Sequence, residues 1–373
     1  MSKTNKIVAW IVVIVIVVLA VSAVSKKQKT ELSGEPIKIG VVYALTGIAS
    51  SWTEFGRNAA NMAAEEINSS GGVNGRPIEL IYEDSQTNPA KSVSAFQKLV
   101  TIDKVDAIIG DVWAFITNPL IPLSTQNKIV VISPTVMDAS VEKPGGDYFF
   151  TLGHTMGGIE NSVRNFFDLN PQAKTAGLIC WGVDAWGLAF TDVYERIAKE
   201  KGVEIIVKTC TTDFSPNYRN EAAKIKAAKP DVVLVNGVGG LAVNSLRTFG
   251  VMTPIIADSN TIDGFENQGS VSLEQLKDVY VIDWHPNKKF ADSFQNKYGA
   301  YPILESQNSY EAVRSIAEAL KNNPKDILAG LKEVKYTSVE GVIDFTTGTN
   351  INPNKTEAKL YKVIGKGNYE EIK

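Results

Sequence analysis

Ile37-Lys38-Ile39-Gly40-Val41-Val42-Tyr43 is a run of β-branched and apolar residues, the composition of a strand buried on both faces. The segments after it decide the fold. Ala59, Met62, Ala63 and Ile67 recur at helical spacing across Phe55–Asn68, and a second strand-like run, Ile78–Asp84, comes next. The alternation continues with a helix predicted at Pro89–Ile102, a strand at Asp106–Gly110, a helix at Ile116–Gln126 and a strand at Ile129–Ser133. Strands separated by helices of this length are βαβ units, which build a parallel sheet covered on both faces.

The rhythm then restarts. Strands are predicted at Thr175–Cys180, Val203–Thr209, Asp231–Asn236 and Pro254–Ala257, with helices at Leu188–Lys201, Asn217–Ala228 and Gly240–Phe249. Two successive sheets exceed one core, so the expected fold is α/β with two doubly wound parallel-sheet lobes. The C-terminal part departs from the pattern. Helices at Lys289–Tyr298, Ser306–Asn322 and Lys325–Val334 precede short strands near Val342–Phe345 and Leu360–Ile364.

A composition of 44% hydrophobic and 21% charged residues is that of a folded chain rather than a disordered one. The first 31 residues hold five of the 38 basic residues and one of the 41 acidic ones, so the body is net acidic. No basic stripe is present, which argues against nucleic-acid binding. From Ile7 to Val24 only Ser22 is polar, and lysines flank both ends. At helical rise this run covers roughly 27 Å, close to the ~30 Å of a bilayer's hydrocarbon core. Residues 1–31 are therefore expected to form a membrane-anchoring helix. The alternative is a signal segment cleaved after Val21-Ser22-Ala23. Cys180 and Cys210 are the two cysteines. They are read either as small buried hydrophobes or as a disulfide between neighbouring strands.

Ligands of doubly wound sheets bind outside the carboxyl ends of the strands. That rule selects the loops Ala44–Trp52, Asp111–Ile116, Pro134–Ala139, Trp181–Gly187, Asn236–Gly240 and Asp258–Thr261, which carry four of the six tryptophans: Trp52, Trp113, Trp181 and Trp186. A flat ring there can cover an apolar or sugar-like face. Catalytic signatures are missing. There is no phosphate loop, no Gly-x-Gly-x-x-Gly after the first strand and no His-Glu-x-x-His. Neither His154 nor His285 has a nucleophile elbow beside it, and both are read as satisfied polar residues. No enzyme activity, metal or cofactor is expected.

Several stretches together resemble the type I periplasmic solute-binding proteins of the branched-chain amino-acid/amide (Leu/Ile/Val-binding) family of ABC transporters. They are Ile37–Gly47, Ala64-Glu65-Glu66-Ile67-Asn68-Ser69-Ser70-Gly71-Gly72-Val73-Asn74-Gly75-Arg76-Pro77-Ile78, Glu83–Pro89, Ala107–Gly110, Ala291–Gly299 and Ser309–Val313. The resemblance implies two lobes that cross three times, near Phe150–His154, Ile282–Pro286 and Val339–Phe345. Residues 36–151 with 285–338 would form lobe 1, and 152–284 with 339–373 lobe 2. It also implies a small-molecule solute captured by lobe closure and delivered to ABC permease and ATPase subunits outside the cytoplasmic membrane. The alternative within the same fold is a sensing ectodomain.

Carried over residue by residue, the resemblance puts the ligand among Trp52, Trp113, Ala114, Thr135, Met137, Trp186, Val238, Asp258 and Ser259. Ala114 stands at the place of a family serine, Met137 at that of a threonine and Val238 at that of a tyrosine. Trp186 replaces another tyrosine. The acid that holds an ammonium group aligns with Ser259, with Asp258 one position away. The losses of hydroxyl and charge, with tryptophans kept, point to a solute with more apolar or aromatic surface than leucine, or an amide.

Overall fold

The computed structural model describes residues 32, 34–134, 146–153, 158–182, 185–212, 218–237, 239–259, 275–348, 350, 357–365 and 368–373. The apolar run 7–24 and the site candidates Thr135, Met137 and Val238, like His154, lie outside them. Among the described residues no helix is long and apolar enough to cross a membrane.

The first sheet is built from β1 (Ile37–Tyr43), β2 (Ile78–Asp84), β3 (Ala107–Ile109), β4 (Val131–Ser133) and β5 (Phe149–Thr151), in the order β2-β1-β3-β4-β5. Every pairing is parallel. The second sheet contains β6 (Thr175–Trp181), β7 (Glu204–Thr211), β8 (Val232–Val235), β9 (Ile255–Asp258) and β10 (Val279–Asp283). Its parallel part runs β7-β6-β8-β9-β10, the same winding as the first. Residues on alternate sides of each sheet enter separate apolar clusters, so both sheets are covered on both faces.

The family-like phrase has a local physical cause. The Ser50–Ser69 helix ends, and Val73 and Arg76 exchange backbone hydrogen bonds at 2.9 and 3.0 Å across Asn74-Gly75. Both central residues have positive φ, 53° and 81°. This is the Asn-Gly turn that tight reversals prefer.

The C-terminal part returns to both bodies. Phe290, Phe294, Tyr310, Val313 and Ile316 bring the helices Lys288–Tyr298 and Leu304–Asn322 into the core of the first sheet. The hairpin of β11 (Lys335–Ser338) and β12 (Gly341–Asp344) comes next, and Val339, Ile343 and Phe345 pack into that same core. The chain is thus still on the first body at Phe345, later than the expected boundary at 339, and Asn350 remains there, its carbonyl accepting from the Thr151 amide and its side chain donating to the Gly146 and Phe149 carbonyls, each at 2.9 Å. Antiparallel β13 (Lys359–Gly365) and β14 (Asn368–Ile372) then extend the second sheet beside β10. Buried side chains tie these passages together. Gln307 Nε2 donates to the Trp284 carbonyl at 2.5 Å and to Glu340 Oε2 at 2.6 Å. The buried Glu311 carboxylate accepts from the Val339 amide at 2.8 Å and the Tyr336 hydroxyl at 2.7 Å.

One further departure and one open choice have plain causes. The helix expected at Ile116–Gln126 is two pieces, Ala114–Thr117 and Leu120–Asn127, because Pro119 lacks an amide hydrogen and breaks the ladder. The Cys180–Cys210 pair is a disulfide, formed where β6 and β7 place the two residues directly opposite each other. That settles the choice between hydrophobes and a bond.

Candidate functional site

In both sheets the connections diverge between the first strand and its inner neighbour, β1/β3 in one and β6/β8 in the other. These are switch points, where the loops leave in opposite directions and open a crevice at the carboxyl ends. The site candidates within the described residues gather at these two places.

At the first crevice, Asp84 at the end of β2 organises the loop after β1. Its carboxylate accepts from the Leu45 amide at 2.9 Å, the Thr46 amide at 3.2 Å, the Thr46 hydroxyl at 2.6 Å and the Gln86 amide at 2.8 Å. Partial burial opposes ionisation, but these donors hold the group below the ordinary aspartate range. Gly47 has a φ of 91°, and a β-carbon there would meet Thr87 Oγ1 at 2.6 Å, so the loop requires glycine. It leads into the Ser50–Ser69 helix, whose first turn carries Trp52. The Trp52 ring lies 5.5 Å from Trp113, which lies 5.7 Å from Phe115. Trp52 and Trp113 are half-buried and Phe115 is 37% exposed, so the three rings form a ladder open on one side. Ala114 lies between the last two, half-buried against the second cluster of this sheet. The helix that starts at Ala114 is a single turn, Ala114–Thr117, too short to sum an appreciable dipole toward an anion.

Asp111 carries no signal in the sequence, yet it joins three loops. It is wholly buried and accepts from Ser85 Oγ and the Trp113 amide, each at 3.0 Å, and from the amides of Ala44 and Val112. Burial pushes this carboxyl up to about 7, against the pull of those donors. Tyr43, hydrogen-bonded to Ser309 at 2.6 Å, faces it from β1. The folded state therefore holds the proton more tightly than the unfolded chain, whose aspartate titrates near ~4. The stability contributed by the protonated form is fully present below about pH 4 and is lost as pH rises through about 7. Between pH 5 and 8 the wild type should lose about 3 kcal/mol relative to Asp111→Asn, each pKa unit being worth about 1.4 kcal/mol. Thermal melting of both proteins at the two pH values measures this, and parallel curves would exclude Asp111 as the titrating group.

At the second crevice, Trp186 occupies the first turn of the Ala185–Glu200 helix. Its ring lies 4.9 Å from Phe190 and 5.9 Å from Trp284, the residue that begins the second passage between the bodies. Trp186 Nε1 donates to Asp258 Oδ2 at 3.1 Å, and the Gly237 amide donates to the same oxygen at 2.7 Å. Asp258 is 0% exposed. Ser259 is 5% exposed, and its Oγ has no hydrogen-bond partner. Trp181, expected in a cleft loop, is instead the last residue of β6 and is buried in the core, because the strand runs one residue longer than its apolar run suggests. His285 is taken up structurally: Nδ1 pairs with Asp283, and the ring stacks on Tyr361 at 4.2 Å. Phe115 and Trp284 also escape the sequence reading, although a search for aromatics beside the loops and crossings would find both.

Two like-wound α/β bodies joined by several passages, each with a switch-point crevice, define the type I periplasmic binding class. A model of the periplasmic binding protein family matches residues 36–368, and the chain belongs to that family. It is similar to the Leu/Ile/Val-binding protein BraC3 of Rhizobium johnstonii, 24% identical over 330 residues, covering 82% of this chain and 88% of the relative. Among solved structures, the branched-chain amino acid transporter substrate binding protein LivJ of Streptococcus pneumoniae, in complex with isoleucine, superposes with a TM-score of 0.75 at 22% identity. The match covers 90% of this chain and 99% of that one. An ABC-transporter solute binding protein of Rhodopseudomonas palustris, in complex with 3,4-dihydroxy benzoic acid, gives 0.75 at 18% identity, covering 91% and 96%. These relatives are binding proteins.

Proposed function

We propose that this chain is the extracytoplasmic solute-binding component of an ABC-type importer. It captures an amino acid, amide or related compound with apolar or aromatic surface, and hands it to permease and ATPase subunits without chemical change. The lobes are residues 36–151 with 285–338, extended past Phe345 to Asn350, and 152–284 with the rest of the chain. They close because the solute touches both crevices at once and so favours the closed state. The ligand-facing groups are Trp52, Trp113 and Ala114 on one lobe and Trp186 and Ser259 on the other, with Thr135, Met137 and Val238 completing the lining. The observation that carries this reading is the clustering of aromatic rings at the switch point of each sheet, with Trp52, Trp113 and Trp186 half-buried among them. A thermal-shift screen of amino acids, amides and arylcarboxylates tests it. A true solute at a hundred times its Kd adds about 2.7 kcal/mol to stability. A screen in which no compound stabilises the protein contradicts the reading.

The 7–24 run tethers the protein in this reading. The full chain should sediment with membranes, and a form beginning at Leu32 should remain in solution and bind the same solute. A native N-terminus found near Val24 would replace the anchor with a cleaved signal.

A further inference from the structure

The carboxylates at the carboxyl ends of the strands are natural candidates for receiving an ammonium group, which brings three donors and no acceptor. Among the described residues they are already engaged by the chain. Asp84 holds Leu45, Thr46 and Gln86, and Asp111 holds Ser85 and Trp113. Asp258, nearest the place of the family's acid, holds the indole N–H of Trp186 and the amide of Gly237 through one oxygen.

Asp258 has no exposed surface. A ligand that took Oδ2 would have to displace the indole, and that ring is packed by Phe190 at 4.9 Å and Trp284 at 5.9 Å. Displacement would leave a buried N–H without an acceptor. The polar group this loop does offer is the Ser259 hydroxyl, buried and without a hydrogen-bond partner. A hydroxyl both donates and accepts, so it suits a carboxyl, amide or hydroxyl of a solute.

Resting on the solute-binding reading above, we infer that Asp258 is a positioning residue for Trp186, and that the cleft takes an aromatic or branched apolar solute without an ammonium group. The ring, locked by its hydrogen bond and its two aromatic neighbours, presents a fixed face to an apolar body. Selectivity then comes from the engagement of these acids: Asp84 is half-buried and already accepts from Leu45, Thr46 and Gln86, and Asp111 and Asp258 have no exposed surface, so an α-amino acid would have to bury its ammonium without an acid of its own.

The test is calorimetric titration of the full chain with two matched pairs, 3-phenylpropionate against phenylalanine and 4-methylpentanoate against leucine. Within each pair the compound lacking the amino group should bind at least tenfold more tightly. Asp258→Asn keeps an acceptor for Trp186 and should bind 3-phenylpropionate three- to tenfold more weakly than wild type. Asp258→Ala removes the acceptor and should lose a further tenfold, with a changed tryptophan emission. A tenfold preference for the amino acids, abolished by Asp258→Asn, would overturn the inference and leave the solute-binding reading standing. Silence of all four compounds would also overturn the inference. It would count against the solute-binding reading only if the thermal-shift screen were silent too.

Discussion

Trp186→Ala is expected to weaken solute binding by roughly ten- to a hundredfold. Burying an aromatic side chain is worth about 1.5–3 kcal/mol, and about 1.4 kcal/mol corresponds to a decade in Kd. Trp52→Ala should act in the same range from the other body. The two differ in their effect on folding. Trp186 packs against the core cluster that contains Trp284 and Phe190, so its removal should also lower the melting temperature by a few degrees. Trp52 contacts Trp113 at the open crevice, and its removal should leave the melt closer to wild type. Calorimetric titration beside thermal melting separates the two effects. Unchanged affinity in both variants would mean that the crevices are not the site.

Reduction of the Cys180–Cys210 disulfide should destabilise the second body by about 3–4 kcal/mol, the loop-closure entropy for a separation of 30 residues. The bond ties β6, whose carboxyl end borders the second crevice, to the edge strand β7. Melting with and without reductant should show the loss. Cys180→Ser with Cys210→Ser should reproduce it and become insensitive to reductant. Intact mass after alkylation gives an independent check, since two free thiols in protein from an oxidising compartment would contradict the pairing.

The parallel strands were legible in the sequence because each is a short β-branched run, and the Asn74-Gly75 turn was legible because its residue types admit positive φ. The antiparallel extension by β13 and β14, and the length of the excursion past Phe345 to Asn350, were not. Those choices are made by packing against residues far away in the chain, as when Val339 and Ile343 join the core of β1. Pro119 marks a break that the apolar spacing of 116–126 conceals. The site was legible as a set of loops, since the carboxyl-end rule needs only strand order. The role of Asp258 was not, because it depends on Trp186, 72 positions earlier, reaching its carboxylate. Asp111 escaped notice for the same reason: Ser85 and Trp113 become its donors only once β2 and β3 flank β1.

Hydrogen exchange of the full chain, with and without a solute found in the thermal-shift screen, tests capture between the lobes most directly. A solute that bridges the crevices should slow exchange in peptides covering Ala44–Trp52 and Asp111–Ile116 and, at the same time, in those covering Trp186 and Gly237–Ser259. Protection confined to one of the two groups, or lying outside both, would contradict closure around a shared ligand.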